Sequence, residues 1–517
     1  MFGGGKGSVD DITYPEGTPE EEQIPISEAG TTGGNVAVNL NETVESSAKG
    51  AIVHQVFGCN DMNGSPKGTV TVHVYATQTP ESGDISTKPA KNSEKYDVEA
   101  VYGGGNLAAY IPKDDNSKAS VTIDGCDLTS INTVYGGGNA ASVPASEVIV
   151  AGTYEIGTIF GGGNGNDKLP SGEDNPGANV GYKADGTTTY GKGTTFVDLQ
   201  GGLIHDAYGG SNAKGKIWKT ASVSLNEAKD GESGAPCCPL VLDEVYGAGN
   251  EAYMEGGTSI DLVCISKLGT LYGGAKNADV NGGVMMNIQS GNFDRVFGGN
   301  NIGGNINGAI EVNIEETGCY PIIIGELYGG GNLAAYSVYG YNDDGTPKTS
   351  GDKLYKDPVV NVKSFTSIGN IYGGGYGEGA LMVGSPTVNI NEVADPTSEA
   401  QTRSYTEDAQ TKYYSDYAGE TKTIAGHDVI LPSHVSGKMG SIHSVFGGGK
   451  AAQVMGNTTV NIGTAATIDF ETKASGEAEP RTGVTVVGVN ITGNVYGGGD
   501  EAEVTGDTNV VIGKKKE

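Results

Sequence analysis

Eight tyrosines set among carboxylates are the residues of this sequence whose type and spacing suit recognition chemistry. Tyr336, Tyr339, Tyr341 and Tyr355 flank Asp343 and Asp344, and Tyr405, Tyr413, Tyr414 and Tyr417 flank Asp408 and Asp416. A phenol ring stacks on the apolar face of a sugar, a nearby carboxylate accepts hydrogen bonds from its hydroxyls, and tyrosine is a general contact residue at interfaces. These eight are the expected ligand-binding residues, with a host or bacterial glycan or a surface protein as partner. The competing role is structural, because a long insertion needs apolar anchors of its own.

Catalysis has no comparable signature. The six histidines are scattered, and His427 next to Asp428 reads as a loop pair. Glycoside hydrolysis needs two carboxylates flanking the scissile bond, and the aspartates do not recur at equivalent positions along the chain. Gly162 to Leu169 matches one copy of a calcium-binding nonapeptide. In calcium rolls each ion lies between successive copies, so a single copy predicts no metal. No catalytic residue, metal or cofactor is expected. The six cysteines form no CxxC pair. Cys264 reads as a small buried hydrophobe, and the adjacent Cys237 and Cys238 read as free thiols in preference to a strained vicinal disulfide.

The net charge of −31, with only three arginines, repels phosphate backbones, so nucleic acid is not an expected partner. The same charge suits solubility of a long β surface. No run of 18 apolar residues exists, so no direct membrane insertion is expected. The sequence opens inside a repeat, Met1 to Gly5, and closes on Lys514 to Lys516 just after a strand-like run. Solenoids usually carry atypical terminal repeats. The expectation is a longer protein whose export signal and anchor lie elsewhere.

The elements that must position these residues are announced by a motif, VYGGGN, which occurs in close variants thirteen times. Its aromatic falls at Phe2, Phe57, Tyr102, Tyr135, Phe160, Tyr208, Tyr246, Tyr272, Phe297, Tyr328, Tyr372, Phe446 and Tyr496. The residue before it is apolar each time, and in most copies so is the residue four before it. Between copies lie alternating runs such as Ser259 to Ile265, Val284 to Ile288 and Thr387 to Ile390. Alternation rich in Val, Ile and Thr marks half-buried strands, and a fixed unit of two or three short strands marks a solenoid. The shortest spacing between aromatics is 25 residues, longer than a left-handed hexapeptide coil. The predicted fold is all-β: a right-handed parallel β-helix with loop insertions, in one domain of about thirteen coils over residues 1–517. Insertions are expected near 9–32, 77–97, 165–193, 227–240, 337–357, 393–440 and 471–483.

The 87 glycines are not a sign of disorder, since they recur at fixed offsets between strands. They are expected where a sharp corner needs positive φ and has no room for Cβ. Asn recurs four residues after the aromatic, at Asn106, Asn139, Asn164, Asn212, Asn250, Asn301 and Asn332, as stacked amide ladders require. The aromatics are expected to stack inside the coil.

The segments VYGGGNLAAY (101–110), LYGGGNLAAY (327–336), VFGGGKAAQVMGNTTVNI (445–462) and VYGGGDEAEVTGDTNVVI (495–512) resemble large repetitive surface proteins of gut bacteria of the Bacteroides and Prevotella group. The resemblance implies an exported, adhesin-like or structural protein located extracellularly or at the cell surface. The motif is specific to a repeat type and carries no known active site. Two other architectures use the same scaffold: a carbohydrate-active β-helix enzyme, lyase or hydrolase, and a phage tail or host-recognition fibre, which would trimerise.

Overall fold

The computed structural model describes residues 1–8, 19, 28–41, 53–77, 96–126, 128–166, 168–169, 171–183, 185–228, 238–393, 404–407, 410–413, 417–433, 439–470 and 479–514. Most of the expected insertions 9–32 and 77–97, and parts of 227–240, 393–440 and 471–483, lie outside these residues. So do Tyr414, Cys237 and the side chains of Tyr405 and Tyr413. The fold is an all-β parallel solenoid, with no α-helix among the described residues. The chain divides into two compact units. One holds Met1–Val223, Pro236–Leu240 and Ala248–Gly256, and the other holds Ser224–Ala235, Val241–Gly247 and Gly257–Glu517.

Each unit has the same two parallel sheets. In the first, the alternating runs Val36–Leu40, Val70–Val74, Ala119–Ile123, Ser146–Val150 and Thr195–Leu199 pair in chain order. The aromatic-ended strands Gln55–Phe57, Val98–Tyr102, Ser130–Tyr135, Glu155–Phe160 and Gly202–Tyr208 form the other sheet. In the second unit the alternating sheet runs from Thr258–Cys264 through Val284–Ile288, Ile310–Glu315, Val359–Ser364, Thr387–Ile390 and Thr458–Ile462 to Thr508–Ile512. Its aromatic sheet includes Lys267–Tyr272, Gly291–Phe297, Ile322–Tyr328, Ser367–Tyr372 and Ser441–Phe446. A short third line of parallel contacts links several successive coils, at Val143, Val180, Ile217 and Met254 in the first unit and at Tyr336–Ser337, Met382–Val383 and Val454–Met455 in the second.

The repeated aromatics stack within each unit, with ring centroids 4.5–5.2 Å apart and planes within 16° of parallel. The apolar residues one and four before the ring are buried, as Leu271 and Leu268 show. The ring itself does not share their side. The glycine after it points inward: a Cβ on Gly273 would lie 2.5 Å from Val284 Cγ1 and 2.8 Å from Met286 Sδ, side chains of the opposite sheet's buried face. Strand alternation then sends Leu271 and Gly273 in and Tyr272 out. The expectation of rings inside the coil is corrected accordingly. They form a second, covered column on the outer side of the aromatic sheet, where the Tyr246 hydroxyl donates to Glu244, two residues earlier, at 2.7 Å.

The glycines also differ from the expectation of positive φ. No glycine of the VYGGGN copies has positive φ. What excludes a side chain is space alone. The first glycine faces the opposite sheet and the next coil's carbonyl, and the third faces the carbonyl of the coil before, as Gly331 faces Asn300 O at 2.7 Å.

The Asn column is present. In the first unit Asn106 donates to Asp61, and Asn139, Asn164, Asn212 and Asn250 each donate to the preceding amide at 2.9–3.0 Å. The second unit has an additional ladder on the alternating sheet, Asp261–Asn287–Asn313–Asn361–Asn389–Asn461, with bonds of 2.8–3.2 Å.

Space, separated from backbone conformation, is testable with one pair of variants. Gly273→Ala should lower the urea midpoint by an amount equivalent to ~1–3 kcal/mol, since a Cβ there overpacks the interior. Gly34→Ala, where a Cβ would meet nothing within 4 Å, should leave the midpoint unchanged or slightly higher. Equal effects of the two variants would contradict this packing account.

Candidate functional site

The structure separates the first tyrosine group from its carboxylates. Tyr336 is buried, and its hydroxyl donates to Gly308 O at 2.8 Å. The half-buried Tyr341 hydroxyl lies against Ile306 O at 3.5 Å and Ala335 O at 3.4 Å, and Tyr355 bonds Asn307 Oδ1 at 3.2 Å. Burial pushes all three phenols above their ordinary pKa. Tyr339 is half-buried. Asp343 and Asp344 sit at the exposed tip, where the Thr346 hydroxyl and amide bond Asp344 and hold its carboxyl below the usual range. Tyr336, Tyr341 and Tyr355 thus anchor this insertion to the coil through their hydroxyls. In the second group, Tyr405 and Tyr413 lie on the paired strands Ser404–Glu407 and Gln410–Tyr413, and Tyr417 is half-buried.

The longest insertion contains a second hairpin, Glu420–Ile424 with His427–Leu431. Its turn residues Ala425 and Gly426 have φ of 49° and 82°, the primed geometry that matches the twist of two strands. One face packs on bare backbone of the aromatic sheet. A Cβ on Gly369 would lie 2.5 Å from Val429 Cγ1, and one on Gly325 would meet Ile424 Cδ1. Lys422 bonds Asn292 Oδ1 at 2.5 Å and Asp294 Oδ1 at 3.3 Å. Ile424, Val429 and Leu431 are buried, whereas Thr421, Thr423, His427, Asp428 and Ile430 face solvent.

Beside the ring column of the second unit, charge replaces the Asn ladder. Glu326, with no exposed surface, accepts from Arg295 Nε at 3.2 Å and Lys450 Nζ at 2.8 Å. Arg295 lies 5.0 Å and Lys450 5.9 Å from the centre of the Tyr376 ring, cation–π distances. Tyr376 stands where the ladder expects Asn, and the Asn332 carbonyl oxygen is left without a donor there.

A third cluster joins the ends of the alternating strands to the chain returning from the insertions. Glu315 meets Arg481 at 3.5 Å and Lys363 at 3.9 Å, with Arg481 over the Phe470 ring at 3.8 Å. Glu316 accepts from Ile322 N at 2.6 Å and Thr366 Oγ1 at 2.8 Å. Glu392 accepts from Gly440 N. These glutamates are 2%, 4% and 1% exposed, so a sugar cannot reach them and they do not form an open acid pair. Nearby, Cys264 is bonded to Cys319, 55 residues away, which corrects its reading as an unpaired buried hydrophobe. Cys264 ends the strand Thr258–Cys264 and Cys319 lies in the turn between Ile310–Glu315 and Ile322–Tyr328, a proximity that spacing alone did not reveal.

In the first unit, His205 meets Glu155 at 2.9 Å with both side chains buried. Trp218, not singled out by the sequence reading, covers Gly193, where a Cβ would lie 2.5 Å from Cε3, and Lys219 Nζ lies 4.3 Å from its ring. Burial raises Tyr182 and Tyr190 to about 12, and Tyr190 bonds Tyr110 O at 3.3 Å. Insertion 165–193 is therefore also fastened by aromatics.

Removing the shared acid of a buried charge cluster leaves its cations uncompensated. Glu326→Gln should cost ~3–5 kcal/mol in chemical denaturation. A cost under ~1 kcal/mol would mean that Arg295 and Lys450 are solvated rather than held.

Comparison with protein-family models, curated proteins and solved structures gives no match for this chain.

Proposed function

We propose that this protein is a non-enzymatic β-solenoid scaffold, exported to the cell surface or medium, that displays insertions to a glycan or surface-protein partner. The hairpin Glu420–Leu431 carries this reading: one face is glued to the sheet and the other presents Thr421, Thr423, Asp428 and Ile430, with His427 exposed beside the turn. A rigid body holding a polar, partly apolar strand face toward solvent is a binding geometry. The repeats have no equivalent freedom, since their side chains are committed to stacking. The Cys264–Cys319 disulfide supports an oxidising compartment, and so an exported protein. The strongly negative charge supports a partner that is not a nucleic acid.

Among the eight tyrosines, those whose hydroxyls bond the coil serve as anchors, and contact with the partner moves to the hairpin face and the exposed tip at Asn342 to Thr346. The test is a glycan array and a cell-binding assay on the protein and on a Thr421→Ala, His427→Ser, Ile430→Ser variant. Binding should fall at least tenfold with an unchanged melting temperature. Unchanged binding would remove the hairpin as the contact surface.

A further inference from the structure

Glu392 sits where the longest insertion leaves the coil, and Gly440 sits where that insertion returns. The Gly440 amide donates to Glu392 Oε1, closing the base of the insertion. The Glu392 carbonyl also accepts from Val487 N at 2.9 Å, at the return of the next insertion. One residue therefore holds two chain returns. Its side chain is 1% exposed, and its second oxygen, Oε2, has no hydrogen-bond partner.

The charge around it is one-sided. Glu316, on the turn after Ile310–Glu315, is the charged side chain acting on Glu392 among the described residues. Glu315 beside it is neutralised by Lys363 from Val359–Ser364 and by Arg481 from the insertion that returns at Val487. Among the described residues no cation is directed at Glu392 in the same way. A buried carboxylate facing another carboxylate is unfavourable, whereas a carboxylic acid there is not.

We infer that Glu392 is a proton-operated clasp: protonated, it holds Gly440 and the Val487 return against the coil, and ionised, it releases them. Burial, followed in importance by the negative charge of Glu316, pushes its carboxyl well above the usual range, against the opposing pull of the Gly440 amide. A carboxyl raised in the folded state contributes its full stability below the pKa of an unfolded glutamate. That contribution is lost as pH rises through the folded value, so the clasp is firmest in acid. A role in controlling display rests on the function proposed above; the clasp itself does not.

Hydrogen exchange separates the two. Amides of 439–446 and 484–491 are compared with those of 284–297, in the same unit but away from the clasp, between pH 5 and pH 8 and after correction for intrinsic rates. The clasp predicts at least a tenfold loss of protection at the two returns on raising pH, with the reference segment unchanged. Glu392→Gln, a neutral isostere, should abolish this dependence, and Glu316→Gln should move its midpoint to lower pH, because removing the like charge makes ionisation of Glu392 less unfavourable; an unmoved midpoint, or one moved to higher pH, would contradict the coupling of the two carboxyls. Protection independent of pH in the unaltered protein, or an identical pH dependence in Glu392→Gln, would overturn the clasp whatever the binding assays show.

Discussion

Stacking of one coil's ring on the next is the interaction on which the other features depend. A ring-to-ring distance near 4.7 Å is the spacing of hydrogen-bonded strands, so a planar aromatic at a fixed strand position meets its copy at contact distance. That works only if successive coils keep the same register. The first glycine after the ring, present in every copy, enforces it: there the next coil's backbone and the opposite sheet leave no room for a side chain, as at Gly273. The two constraints explain why VYGGGN varies so little while the intervening segments vary freely. They also produce two apolar columns per coil, one between the sheets and one outside the aromatic sheet.

Polar side chains then fill what remains. Where identical positions stack, amides are the suitable residues, since each both donates and accepts along the column. Where the column changes, as at Tyr376, charged groups must satisfy one another, and Arg295, Glu326 and Lys450 do so under cover. The insertions follow the same economy of space: the hairpin lies over Gly325 and Gly369, positions with no side chain to obstruct it.

Much of this was legible in the sequence and some was not, for identifiable reasons. The solenoid and the Asn column follow from recurrence at fixed offsets. The side occupied by the rings did not, because an apolar ring next to an apolar Val suggests one core; only the inward direction of Gly273 shows that there are two. The alternating-sheet ladder had a signal in the repeated Val-Asn-Ile of Val312–Ile314 and Val388–Ile390 that the glycine pattern overshadowed. The hairpin turn was hidden because Ala425 is an unusual residue at positive φ, where Asn or Gly would have advertised it. The tyrosine groups were recognised by type, but which way a phenol points depends on acceptors such as Gly308 O and Asn307, remote in sequence. The glutamate cluster has the same origin, since Glu316 and Glu392 meet only through stacking of coils.

A double-mutant cycle measures the stacking directly. Tyr246 and Tyr272 are neighbours in the column, 4.7 Å apart, whereas Tyr246 and Phe446 are separated by several coils of the same unit. Replacing each by Leu, singly and together, should give a coupling of ~0.5–1.5 kcal/mol for the neighbouring pair and none beyond error for the distant pair. Equal coupling in the two cycles, or none in either, would contradict the claim that ring-on-ring contact sets the register of the coils.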